Sequence, residues 1–266
     1  MMKPSQSVLL AVALALGPAL PSHAGQTCTE EPLSATQIAE GMKLAQLTSE
    51  RLDASGAQVV LLARAGQNLT EYGLRWSHLG FAYRTEAGPW RVLHKLNECG
   101  SANGAIYRQG LGEFFMDRPW RYEAAYAVLS PELQQALLPL LRTEGRGRVL
   151  ALNEPRYSML AYPWSQRFQQ SNQWALETLA MAANPEQVWD RATAQDWLRQ
   201  RGYQPTVLHL SAMKRLGAET TRANISFADH PNSERFSGRI ATATVDSVFA
   251  WLPQAGLGGG PSTIPR

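Results

Sequence analysis

Cysteine is nearly absent: only Cys28 and Cys99 occur in 266 residues. An even pair in an exported chain favours one disulfide over two reactive thiols. Such a bridge closes a loop of about 70 residues and on the chain-entropy model contributes about 4 kcal/mol. The competing reading, Cys99 as a catalytic thiolate, requires it to stay reduced outside the cytoplasm with Cys28 at hand. Charge is also scarce, at 18% of residues, and Lys+Arg exceed Asp+Glu by only 3. No Lys/Arg cluster tracks a phosphate backbone, so nucleic acid is not an expected partner, and the near-neutral balance steers no substrate. With 44% hydrophobic residues the chain is too apolar for a disordered segment.

Long hydrophobic runs are missing too. The longest, Val8 to Leu20, is too short to span a bilayer comfortably, and no second one follows. Lys3 precedes it and Pro21-Ser22-His23-Ala24 follows, which is the pattern of a secretory signal peptide cut before Gly25. The expectation is a periplasmic or secreted protein with no membrane span after processing. Cofactor motifs fail in turn. The GLGGG string near the C-terminus opens no helix, and there is no Walker pattern, zincin histidine pair or Gly-x-Ser-x-Gly elbow. No cofactor and no metal site is called for.

What is present reads as residues 1–24 of signal peptide, one domain over 25–253, and a flexible Gly/Pro-rich tail over 254–266. Ser34 and Gln37 form a capping box for a helix to about Leu52, with Ile38, Met42 and Ala45 on one face, and Gly56 stops it. Three strands follow in QVVLLARA, WSHLGFAYR and WRVLHKLNE, the last two close enough to pair as an antiparallel hairpin. A fourth strand, YEAAYAVL, leads into a helix begun by Ser130-Pro131 with Leu133, Leu137 and Leu141 on its apolar stripe. SNQWALETLAMAA reads as a helix ending at Asn184-Pro185, which starts another as far as Gly202. Strand character returns in PTVLHL, TRANISF and RIATATVDSVFAWL. The fold class is α+β, an antiparallel sheet covered by helices.

The polar residues able to carry chemistry are His78 at the start of one strand, His94 and Asn97 on its partner, and Ser171 at a helix start. In a hairpin His78 faces His94, Lys95 or Asn97 according to register, which places a base beside its orienting partner. A serine in the first turn of a helix sits at the positive end of the dipole, among N–H groups suited to an oxyanion. The plainer readings are a hydrogen-bonded strand histidine and a Ser171 or Asn172 that only caps its helix. Asp229-His230 could supply two metal ligands, but Asp-His-Pro-Asn is ordinary turn chemistry, the preferred reading, and His209 weighs little. Of the eight tryptophans, Trp76, Trp90, Trp164, Trp174, Trp189 and Trp197 fall on expected elements; most are expected in the core, with Trp164 or Trp174 as candidates to line a groove.

The strings YGLRWSHLGFAYR, WRVLHKLNECG, GLGEFFMDRPW, AYPWSQRFQQSNQWALE and ANISFADHP, with the TVDSVFAWL ending, resemble the exported bacterial proteins of the DUF2145 family. That likeness brings no activity. SHLGF followed much later by a helix start also resembles the circularly permuted papain-like fold of lecithin:retinol acyltransferase and YiiX-type hydrolases. The resemblance implies His78 as general base, a polar residue on the next strand orienting it, and Ser171 where those enzymes carry a nucleophilic cysteine. Serine, unlike cysteine, depends on an adjacent base and an oxyanion hole. Three functions follow: a Ser/His acyl hydrolase or amidase acting on a cell-envelope substrate; a catalytically inactive papain-like module binding a peptide, glycan or lipid; or a structural envelope protein.

Overall fold

The computed structural model describes residues 32–143 and 147–264. The expected signal peptide and Cys28, and with it the expected bridge to Cys99, lie outside the described residues. The first half builds α1 (Ala35–Ala54), β1 (Val59–Ala65), β2 (His78–Arg84), β3 (Trp90–Asn97), β4 (Gly104–Gly110), α2 (Leu111–Phe115) and β5 (Arg121–Val128). Then come α3 (Pro131–Arg142), α4 (Arg148–Ala151), α5 (Ser171–Ala183) and α6 (Arg191–Gln200). The chain ends with β6 (Thr206–His209), α7 (Ala212–Thr221), α8 (Asn232–Ser237), β7 (Arg239–Thr242), α9 (Val245–Gln254) and β8 (Ser262–Ile264).

Six strands pair antiparallel in the order β4-β3-β2-β1-β5-β8, and β6 and β7 form a separate antiparallel pair. Alternation along each strand sends side chains to two helical layers. Leu61, Leu79, Phe81 and Leu93 meet α3, α5 and α9, with Trp174 set edge-on to Phe81 at 5.9 Å between ring centres. Val60, Leu62, Ala82 and Val92 meet Leu44 and Leu52 of α1 and Phe114 and Phe115 of α2. The class is therefore α+β, an antiparallel sheet with helices on both faces.

Local chemistry explains most boundaries. Ser34 Oγ accepts the Gln37 N–H at 3.2 Å and Gln37 Oε1 accepts the Ser34 N–H at 2.9 Å, closing the capping box of α1. Gly56, at φ 68°, takes the left-handed turn that ends it. Ser130 caps α3, and Leu133, Leu137 and Leu141 are buried.

Several expectations are corrected. The core side of α1 is Leu44, Ala45, Thr48 and Leu52, whereas Ile38 and Met42 are exposed. The sequence reading passed over β4, α2 and α7. The helix expected from Pro185 begins only at Arg191, where Asp190 accepts the Thr193 N–H. TRANISF is not a strand but the end of α7 and the turns after it. RIATATVDSVFAWL divides into β7 and α9, because Thr244 and Ser247 form a capping box and Val245, Val248 and Leu252 share a buried helical side. The tail read as flexible carries β8, bonded to β5.

Gly80 is a tight spot in the sheet. A Cβ there would lie 2.9 Å from His94 Cβ, 2.9 Å from Val92 Cγ1 and 3.2 Å from the Leu93 carbonyl. Backbone and β-carbon atoms cannot swing aside, so Gly80→Ala is expected to destabilise by about 1–3 kcal/mol. Urea unfolding of the variant checks this; an unchanged midpoint would refute the crowding.

Candidate functional site

A cavity of about 440 Å³ opens at one end of the main sheet, where β1 finishes, β2 begins and β3 finishes. Its wall is completed by the N-terminus of α5, by Tyr157, Met159 and Leu160, and by residues of β6, α7 and β7. The lining mixes apolar groups (Leu69, Leu74, Leu160, Leu208) with polar ones (Asn97, Ser171, Asn172, Thr242).

His78 and His94 are in direct contact, His78 Nε2 to His94 Nδ1 at 2.8 Å. They are not directly opposite. The hairpin register pairs Phe81 with Leu93, so the two rings meet as diagonal neighbours on one face. That face is the α2 side. His78 pairs across β1 with Arg64, lies 5.9 Å from the Phe114 ring, and the Arg64 guanidinium stacks 4.7 Å from that same ring. Arg64 is buried, paired with Asp117, and donates to the Phe114 carbonyl. Burial holds its pKa below the ordinary guanidinium value.

Ser171 belongs to the opposite layer. It is the first residue of α5, whose Trp174 packs against Phe81. The cap is Gln170, which accepts the Asn172 N–H, so neither Ser171 nor Asn172 plays that part. Ser171 Oγ lies 3.4 Å from the Tyr157 hydroxyl, and no hydrogen bond joins it to His78 among the described residues. Burial raises the Tyr157 pKa above the ordinary phenol value, so the phenol stays protonated, and either hydroxyl of the pair can donate to the other. Asn97 lines the cavity, but its amide donates to the Glu98 carbonyl at 3.2 Å, not to a histidine.

A second polar group anchors α5 from behind. Glu177 is fully buried and accepts from Gln169, Gln173 and Gln195 while pairing with Arg191 at 2.9 Å. Lys95, buried on the same side, donates to Gln169 Oε1 at 2.8 Å and Asn153 Oδ1 at 3.0 Å, and burial pushes its pKa down to about 7. The sequence reading missed Arg64, Tyr157 and Glu177 and considered Lys95 only as a neighbour of His78, whereas Lys95 belongs to the α5 side. A signal existed for Arg64, which interrupts an apolar strand.

His230 is also accounted for. Nδ1 is 3.1 Å from Asp229 Oδ1 and Nε2 is 2.9 Å from the Ala241 carbonyl, while Asp229 accepts the Tyr162 N–H at 2.8 Å. Both residues tie a turn to neighbouring backbone. Trp174 is core, and the aromatic residues on the cavity wall are Tyr72, Trp76 and Tyr157 rather than Trp164 or Trp174.

The chain belongs to the family described as "Uncharacterized protein conserved in bacteria (DUF2145)", which matches residues 51–252. No curated protein and no solved structure matches it. Among the described residues no helix is long and apolar enough to cross a membrane.

The histidine pair makes stability pH-dependent. Burial, Arg64 and the His94 ring hold His78 well below the ordinary value of 6.5, and burial and Arg64 push His94 down to about 3. Above pH 6.5 both rings are neutral whether folded or not. Below it the unfolded chain binds protons that the buried rings refuse, so stability is lost as pH falls from 6.5 toward 3. For His94 alone the loss reaches roughly 2 kcal/mol by pH 5, at about 1.4 kcal/mol per unit. Urea midpoints at pH 7 and pH 5 should fall less for His94→Gln than for wild type; equal falls would remove this account.

Proposed function

We propose that the protein is an exported ligand-binding module of the cell envelope, with a permuted papain-like arrangement that no longer runs Ser–His chemistry. One observation carries the reading: Ser171 faces a protonated phenol, while the His78 ring lies on the other side of the sheet, tied to His94. A serine hydroxyl without a base in reach is a hydrogen-bonding group, not a nucleophile. Ser171, Asn97 and Asn172 would then grip a polar head, and Leu69, Leu74, Leu160 and Leu208 would take an apolar portion.

The hydrolase reading keeps one specific support, that Ser171 and His78 border the same cavity. In it Ser171 attacks an acyl carbon, His78 takes the proton and His94 orients His78. Labelling with a fluorophosphonate serine probe separates the two. The binding reading expects no labelling of wild type beyond Ser171→Ala, whereas label lost in both Ser171→Ala and His78→Ala would establish the hydrolase instead. For the binding reading, laurate at about 100 times its Kd should stabilise wild type by about 2.7 kcal/mol. Leu160→Trp, which fills the cavity, should abolish that gain, and a gain that survives the substitution would overturn the cavity assignment.

Export and the Cys28–Cys99 bridge belong to the same proposal. Intact-mass analysis of protein recovered from the periplasm should show a chain starting at Gly25 that gains about two hydrogens in mass on reduction. A retained leader, or no change on reduction, would remove these two parts.

A further inference from the structure

A polar row crosses one face of the main sheet. Gln109 of β4, His94 of β3, His78 of β2 and Arg64 of β1 stand on adjacent strands on the α2 side, among the apolar Val60, Leu62, Ala82 and Val92. The registers make each a neighbour of the next. Gln109 pairs with Val92 and so lies diagonal to His94, His94 lies diagonal to His78, and His78 pairs with Arg64. In an apolar layer such a row has to settle which of its atoms carry hydrogens.

Gln109 settles it. Its amide nitrogen donates to Glu113 Oε1 at 3.1 Å, which leaves the oxygen end for another partner. Gln109 Oε1 and His94 Nε2 are both buried, and neither bonds elsewhere among the described residues. Burial and Arg64 push the His94 pKa down to about 3, and the Gln109 amide works the other way, as an oxygen facing a ring N–H does. A neutral imidazole has one donor nitrogen and one acceptor nitrogen. With the hydrogen on Nε2, His94 Nδ1 accepts, so the 2.8 Å contact is a hydrogen bond donated by His78 Nε2. His78 Nδ1 is left as a bare lone pair. His78 lines the cavity, and its Nδ1 is neither sealed off nor bonded among the described residues.

A second bare acceptor borders the same cavity from the α5 layer. Asn172, 5% exposed, donates through Nδ2 to the Ala243 carbonyl at 3.2 Å, and its Oδ1 has no partner among the described residues. Buried acceptors left without donors call for a ligand that supplies them. A carboxylate supplies none and would oppose both lone pairs. An ammonium would set a second cation beside the row that ends in Arg64. A hydroxyl donates without charge, and it also accepts from the Ser171 and Asn97 side chains on the same wall. We propose that Gln109, acting through His94, fixes His78 as an acceptor, and that His78 Nδ1 and Asn172 Oδ1 together select a ligand with an uncharged, hydroxyl-bearing head. The ligand class rests on the binding reading of the cavity. Gln109 is a positioning residue, two rings away from the ligand.

Two measurements test this. Long-range proton–nitrogen correlation spectra of the ligand-free protein, labelled with nitrogen-15 histidine, read the tautomers directly. In wild type at pH 7 both rings should carry their hydrogen on Nε2, and Gln109→Leu should shift His78 toward the Nδ1-protonated form, which a purely structural role of Gln109 would not do. His78 protonated on Nδ1 in wild type would overturn the proposal. Calorimetric titration with monolauroylglycerol and with laurate, each below its micelle-forming concentration, should show the glyceride binding about tenfold tighter. Gln109→Leu should reduce that preference several-fold and leave laurate binding unchanged. Equal affinities in wild type, or tighter laurate, would overturn the ligand class while the binding role of the cavity stands. Binding of neither compound, in wild type as in Leu160→Trp, would remove the binding reading and the ligand class together, with the tautomer spectra still deciding the role of Gln109.

Discussion

The arrangement depends on satisfying one carboxyl group in the interior. Glu177 sits in the middle of a helix that is buried on every side, and five N–H donors from Gln169, Gln173, Gln195 and Arg191 surround it. An ion pair of this kind costs much desolvation, and removing one partner leaves an uncompensated charge worth about 3–5 kcal/mol of destabilisation. The helix therefore has one orientation in which its polar groups are satisfied. That orientation carries Ser171 to the cavity and sets Trp174 against Phe81. Lys95 extends the network into the sheet, so α5 and β3 are positioned by the same hydrogen bonds.

The sheet imposes the second constraint. A strand covered on both faces sends adjacent residues to different layers, so His78 and Leu79, one bond apart in the chain, belong to separate halves of the interior. The histidine pair lies with Arg64 beneath α2; the serine lies with α5. They border one cavity only because it wraps the end of the sheet.

Legibility in the sequence followed the locality of the forces. The capping box of α1, the Ser130-Pro131 start and leucine stripe of α3, and the β2–β3 hairpin are written in short windows and were readable. For His78 the short windows left three neighbours open, His94, Lys95 and Asn97, and only the register of the folded hairpin selects His94. The β4 strand was not readable, because GAIYRQG is an edge strand between two glycines with no clean alternation. In α9 the β-forming Val245, Val248 and Phe249 concealed a helix start whose cap partner is a serine rather than an acid. The face to which His78 points depended on α2, a five-residue helix, and a sequence reading that lacks α2 has no means to see that the α2 layer exists. The separation of His78 from Ser171 was thus a property of the whole sheet rather than of any motif.

The strand β8 has a consequence beyond the site. Its three residues lie along Ala124 to Tyr126, and Pro261 precedes them. Without them the amides and carbonyls of β5 would form an open template for another chain, since an unpaired strand recruits partners by backbone bonding alone. A short edge beside a proline offers a newcomer little to grip. The last turns of the polypeptide act as a selvedge, a finished border that keeps one molecule's sheet from being knitted into the next.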